Sequence, residues 1–511
     1  MRLTQVIDRR IGALPAFVLV GCLVTMGSFF AMGQLESLTP IALFLFAPLA
    51  LCVLLHALPQ VIRRWRMLRQ QLTWWHALWL LLFLSSLVFR IRDVQSIKDE
   101  PIDLWAVYRI VLVGIVALVL LVRLVVMRTD WVPSLFRGLV GALSVYALIS
   151  IASTLWSIYP AWSLYKSIEY LVDIALLGAV VATVRSAKTY KTLFDWTWVL
   201  QAGLLGAVWV GALLWPSKAF VVEGELIPVR ISGVLPAVDQ NEVGLSAAIL
   251  AIVALSRLQF RAARGRSIFY GAVLVLSAGT MVLSQTRVAI AGFLLGTFLV
   301  LFFSKRLRVI TVLALTVVLL LSLTSFGNAV GTFWQRGENQ KSLQEFSGRV
   351  PVWEFGWQTF LEQPVLGFGA YAGGRFAVVA AVVDPRWAST LNEYLEIALG
   401  TGICGLTPVV FGLVGAWWLL IRGAQTNGVF ELRHQLAIEA IGVLAIITTK
   451  TFFGVNMMWH PAQPFLLVVG YAELLRREKH RRPSPRVIHW CTARLAHTKN
   501  SVGGKGSLAS P

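Results

Sequence analysis

The sequence predicts an all-α fold: a polytopic integral membrane helix bundle of about 12–14 transmembrane helices, with one long extracytoplasmic loop that contains short helices. Three observations predict it. The 511-residue chain is 57% apolar and only 14% charged, whereas soluble domains are about 45–50% apolar and about 25% charged. Apolar residues form continuous runs such as 104–127 and 307–326, close to the roughly 20 residues a helix needs to cross hydrocarbon. Because these runs do not alternate with polar residues, they exclude a transmembrane β-barrel. Finally, most of the 45 Lys and Arg residues lie in every second loop, as the positive-inside rule requires.

In chain order the spans are expected near 12–32, 40–59, 74–90, 104–127, 138–156, 164–184, 196–215, 243–258, 267–284, 288–303, 307–326, 395–421, 435–455 and 462–475. The first has span length and no small-x-small cleavage site, so it reads as a retained helix. Residues 1–475 form a single transmembrane domain, with 327–394 as a large loop inside it. Residues 476–511, basic and then rich in Gly and Ser, read as a disordered tail attracted to anionic lipid. Basic clusters such as Arg63/Arg64/Arg66/Arg69 and Arg257/Arg261/Arg264/Arg266 put both termini in the cytoplasm. The same placement assigns the net charge of +20 to topology and the bilayer rather than to nucleic acid. Cys22, Cys52, Cys404 and Cys491 have neither pairing nor metal-ligand spacing, so no disulfide framework or metal site is expected.

No phosphate loop, dinucleotide fingerprint, zinc-protease motif or nucleophile elbow is present, and no cofactor is implied. Chemistry must therefore come from polar residues at the outer face, where the long connections 216–242 and 327–394 lie. Arg287, in Ser284-Gln285-Thr286-Arg287, interrupts an apolar stretch on the side where basic residues are scarce. It is either a snorkelling boundary residue or a planar donor for phosphate. Arg349 follows Ser347-Gly348 and precedes an apolar stripe of Trp353, Trp357, Phe360 and Leu361, which predicts a short surface helix ended by Pro364. Asn392 and Glu393 stand where the loop re-enters the membrane, and Glu396 falls inside that span. They either complement the helix dipole or face a substrate hydroxyl. Lys166, Glu169 and Asp173 share one face of a span, as ion-pair partners or substrate contacts. Asp239-Gln240-Asn241-Glu242 is a helix cap or part of a polar pocket, and the lone His460 reads as an interface residue.

Six stretches in this order resemble the O-antigen ligase and polysaccharide polymerase superfamily: Ser150–Pro160, Arg230–Asn241, Leu283–Gly292, Ser347–Trp353, Gln363–Gly369 and Leu391–Gly405. The resemblance implies transfer of a glycan from an undecaprenyl-pyrophosphate donor, at the periplasmic face of a bacterial inner membrane. The acceptor it implies is a sugar hydroxyl, on a lipid-linked repeat or on lipid A core, and a chain-length regulator is a further implied partner. No divalent metal is implied, because arginines neutralise the departing pyrophosphate; Arg287 and Arg349 stand at those motif positions. Glu393 and Asn392 complete the implied catalytic set, with Lys166, Asn241, Trp353, Asp384 and Glu396 as substrate-binding candidates. The chain departs from the pattern at Leu391, where ligases have a histidine before the asparagine. Glu393 or Asp384 is then the candidate base, and polymerisation is favoured over ligation to lipid A core. A lipid-glycan flippase or other transporter is the rival class, and a non-catalytic assembly subunit a third.

Overall fold

The computed structural model describes residues 68–87, 97, 102–222, 227, 229–260, 264–322, 324–335, 338–382, 387, 389–426, 431–460 and 462–481. The spans expected near 12–32 and 40–59, Asp384 and the tail beyond 481 lie outside them. The principal helices are α1 Trp74–Ser86, α2 Leu104–Val125, α3 Gly138–Ala152, α4 Pro160–Thr183, α5 Ala187–Leu214, α6 Gln240–Leu258 and α7 Arg264–Leu283. They continue as α8 Arg287–Phe303, α9 Leu307–Ser322, α10 Thr324–Gln335, α11 Arg349–Glu362, α12 Glu393–Thr426, α13 Leu432–Thr451 and α14 Gln463–Arg481. Two small hairpins, β1 Phe220–Val222 with β2 Val229–Ile231 and β3 Gly233–Val234 with β4 Ala237–Val238, fill the connection from α5 to α6.

The fold is an all-α polytopic membrane bundle. Among the described residues six helices are long and apolar enough to cross a bilayer: Leu104–Val125, Gly138–Leu155, Ala187–Leu214, Gln240–Leu258, Glu393–Gln425 and Leu432–Thr451. Four shorter apolar helices stand at other expected spans. Two boundaries differ from expectation. The run expected to 326 is described as α9 to Ser322 and as α10 from Thr324; α14 continues past 475 to Arg481.

Helix contacts are made close by glycine. Gly292 and Gly296 on α8 face α13: an added Cβ would lie 3.0 Å from Ile446 Cα and 3.0 Å from Gly442 O. This is the small-xxx-small packing that lets membrane helices approach without a hydrophobic drive between them. At the far end of α6, Arg257 forks onto Glu439 of α13 at 2.8 and 2.9 Å and pairs with Asp195 of α5 at 2.8 Å. The indole of Trp198 donates to the same Glu439 at 2.6 Å.

The other end is organised by a break in α12. Gly402 adopts φ 63° and ψ −162°, which interrupts the helix. The backbone groups freed there are taken up by the segment 364–369: Phe368 N donates to Leu399 O and Gly369 N to Gly400 O, both at 2.8 Å, and Ile403 N donates to Pro364 O at 2.9 Å. Non-helical backbone at membrane depth survives only where protein satisfies it in this way. The same segment is stitched to the connection between α3 and α4. Ile158 N donates to Phe368 O at 3.0 Å, Trp156 Nε1 to Leu366 O at 3.1 Å, and Ser163 Oγ to Ala370 O at 2.7 Å.

The close approach at the break requires glycine. A Cβ on Gly402 would sit 2.1 Å from Val365 O, in addition to the left-handed φ. Gly402→Ala should therefore destabilise the protein by about 1–3 kcal/mol or more. Thermal unfolding in detergent micelles checks this, with Gly203→Ala, where nothing lies within 4 Å, as the control that should leave the midpoint unchanged.

Candidate active site

Arg287 opens α8 after a tight turn in which Gln285 is left-handed, at φ 51°. Two neighbouring segments fix that turn. Gln285 Nε2 donates to Ile227 O at 2.7 Å and Val229 O at 3.2 Å, the Thr286 hydroxyl donates to Gln240 O at 3.1 Å, and Arg230 Nε donates to Ser284 O at 3.3 Å. The guanidinium reaches the end of α10 and the segment after it: Nη1 meets Glu338 Oε2 at 3.1 Å and Nη2 donates to Gln335 O at 3.0 Å.

Arg349 opens α11 after three consecutive left-handed residues, Phe346, Ser347 and Gly348, at φ 49°, 59° and 80°. Two of them are not glycine, so the turn is held against a local preference. Its geometry sends the Ser347 hydroxyl to both oxygens of Glu338, at 3.2 and 3.0 Å, while Arg349 Nη1 donates to Phe346 O at 2.8 Å. Burial holds the Arg349 guanidinium below its ordinary pKa; Glu338 opposes that shift and the like charge of Arg287 adds to it. Arg287 thus pairs directly with Glu338, and Arg349 lies within electrostatic reach of both. Sequence reasoning missed this residue, because an acidic side chain in a polar stretch carries no signal without its partners.

Beside Arg349 stands an aromatic cluster drawn from separate segments. Phe346, Trp353 and Phe453 have ring centroids 5.5 to 6.1 Å apart. Trp353 is fixed by its indole N–H to Thr390 O at 2.9 Å. The expected surface helix is α11, but its apolar residues divide: Val352 and Phe360 are buried, while Trp357 and Leu361 are exposed on its other side. The buried side packs on Leu399 and Ala398 of α12.

At the mouth of α12, Asn392 accepts from Leu395 N at 3.0 Å and donates to Phe452 O at 3.4 Å. Leu391, at the position of the absent histidine, is left-handed with φ 56°. Glu393 is fully buried and its carboxylate accepts from the amides of Asn456, Met457 and Met458, the last two at 2.9 Å. Glu396 accepts from Thr390 N at 3.0 Å and Thr390 Oγ1 at 2.9 Å through Oε2, whereas its Oε1 has no hydrogen-bond partner among the described residues. Gly374 presses on this carboxylate, a Cβ there falling 2.1 Å from Oε2.

The remaining candidates are dispersed. Lys166 is buried in an ion cluster, with Nζ 2.8 Å from Glu169 Oε2, and Arg109 Nη2 is 3.0 Å from the same oxygen. Of its two readings, ion pairing is the one this geometry favours. Asn241 binds Asp239, its side-chain nitrogen lying 3.2 Å from Oδ2, in the first turn of α6, where Asp239 is the cap. Asp384 lies outside the described residues. His460 is no lone interface residue: Nδ1 is 2.8 Å from Asp173 and Nε2 is 2.6 Å from Ser85 Oγ. In that trio the Ser85 hydroxyl also donates to Leu82 O at 2.7 Å. The trio joins α1, α4 and the connection before α14.

Residues 272–410 match the family model described as O-antigen ligase. The matched region runs from α7 into α12 and contains Arg287, Glu338, Arg349, Glu393 and Glu396. No curated protein matches the chain.

The hydrogen bonding of Glu393 assigns it to the framework of this site. Glu393→Ala should cost on the order of 3 kcal/mol or more, because the amides of residues 456–458 lose their acceptor. The unfolding midpoint in micelles measures it. An unchanged midpoint would return this residue to the list of proton acceptors.

Proposed function

We propose that this chain, whose residues 272–410 match the O-antigen ligase family model, is a membrane glycosyltransferase that moves a glycan from an undecaprenyl-pyrophosphate donor to a sugar hydroxyl at the periplasmic face. The observation that carries this reading is the Arg287–Glu338 pair, with Arg349 within electrostatic reach of both groups. Two guanidinium groups converging on one anion suit a diphosphate, whose oxygens accept paired, planar donors. The polyprenyl tail remains in the bilayer, and the first sugar packs on the face formed by Trp353, Phe346 and Phe453.

In the transfer, the acceptor oxygen bonds to the anomeric carbon as that carbon's bond to the diphosphate oxygen breaks. The electron pair departs on the diphosphate, where fixed cations near a low-dielectric boundary stabilise the growing charge. The hydroxyl proton passes to a carboxylate. Glu396, with Oε1 unpartnered, has the capacity that Glu393 lacks. Leu391 in place of the histidine favours a lipid-linked repeat as acceptor over lipid A core. A transporter would be expected to gather its polar groups at mid-depth between repeated halves, whereas Arg287 and Arg349 stand at the first residues of α8 and α11.

In cells carrying Arg287→Ala or Arg349→Ala in place of the native chain, polymer should fall by about 10²–10³ in rate while lipid-linked repeats accumulate on the periplasmic side. Glu396→Gln should keep donor binding and lower transfer by about 10²–10⁴. Repeats confined to the cytoplasmic side would indicate a flippase, and full polymer in both arginine variants would overturn the enzyme reading.

A further inference from the structure

Glu338 occupies the position that the proposed reaction gives to the diphosphate. Its Oε2 is 3.1 Å from Arg287 Nη1, and both its oxygens accept from the Ser347 hydroxyl, at 3.0 and 3.2 Å. Its charge also acts on Arg349, where it opposes the effect of burial. The donors around this carboxylate are therefore the donors available to a substrate anion. The Arg287 and Glu338 side chains keep 15% and 21% of their surface exposed, so an entering anion can reach them. The pair is largely but not fully buried, so displacing the carboxylate has a cost that an anion of higher charge can offset.

We propose that Glu338 is a built-in, displaceable counter-ion that competes with the diphosphate for Arg287 and Arg349 and so drives release of the polyprenyl diphosphate product. This rests on the glycosyltransferase reading above. The chemistry of the reaction gives the device a purpose. Breaking the anomeric bond converts a diphosphate diester into a monoester, which carries one more negative charge than the donor did. A clamp of fixed cations alone would hold the product more tightly than the substrate and stall. A carboxylate that returns to Arg287 as the diphosphate leaves takes up the positive charge and lowers product affinity. Its cost is a proportionate weakening of donor binding, as for any site whose open form is only part of the population. The Ser347 hydroxyl, on the strained turn that begins α11, aims the carboxylate at the arginines.

The test is binding of inorganic pyrophosphate to the full chain in detergent micelles, by titration calorimetry, for the native protein, Glu338→Gln, Glu338→Asp and Arg287→Ala. Glu338→Gln should bind about five- to tenfold more tightly than native, about 1–1.4 kcal/mol. Glu338→Asp should stay near native, and Arg287→Ala should lose binding. In steady-state transfer, inhibition by added undecaprenyl pyrophosphate should strengthen in Glu338→Gln by a similar factor. Equal or weaker binding in Glu338→Gln, with Arg287→Ala still deficient, would overturn the counter-ion role and leave the diphosphate site standing. Pyrophosphate binding that ignores Arg287→Ala would remove the site itself, and the counter-ion with it. Thermal unfolding of each variant separates these results from loss of fold.

Discussion

The architecture depends on the exchange of backbone hydrogen bonds between the broken helix α12 and the segment 364–369. An unwound helix within a membrane leaves amides and carbonyls that no solvent can satisfy. Here Leu399 O, Gly400 O and Ile403 N find partners in Phe368, Gly369 and Pro364. That pairing fixes the end of α11, because Pro364 follows it almost directly, and it fixes the start of α12 with Asn392, Glu393 and Glu396. It also binds the connection between α3 and α4 to the same segment through Trp156, Ile158 and Ser163. The flexible-looking glycine-rich loop is thereby held as part of the bundle.

On this frame the two arginines are positioned from opposite sides. Arg287 is set by a turn wedged among the hairpin strands and the start of α6, and Arg349 by a left-handed turn braced on Glu338. Two like charges brought near each other repel, and burial of Arg349 raises the cost of its charge. The Glu338 carboxylate, paired with Arg287, offsets part of that charge. Such a site favours an anion with more charge than a single carboxylate, which is the property a diphosphate donor has. The buried Arg109–Glu169–Lys166 cluster, by contrast, already balances much of its own charge inside the helices.

Much of the fold was legible because membrane solvation writes itself into sequence as long apolar runs, and each expected span from 74 to 475 coincides with a helix in the structure. The motifs were legible as separate pieces, including the glycines at 367, 369, 400 and 402. That the amide of Gly369 satisfies the carbonyl of Gly400 could not be read, since residues thirty apart carry no mark of contact. Glu393 looked like a catalytic carboxylate because its position at a helix mouth is visible, whereas the three amides that occupy it come from a turn sixty residues on. Glu338 and the His460–Asp173–Ser85 chain were hidden for the same reason: their meaning lies in long-range pairing. The division of the apolar side chains of α11 was masked because both its sides are apolar, one facing α12 and one exposed.

The central claim is that Arg287 and Arg349 together hold the diphosphate. A structure of the full chain in nanodiscs with bound undecaprenyl pyrophosphate tests it most directly. The account predicts phosphate oxygens within hydrogen-bond distance of both guanidinium groups. A diphosphate seated against only one of them, or elsewhere on the bundle, would contradict it.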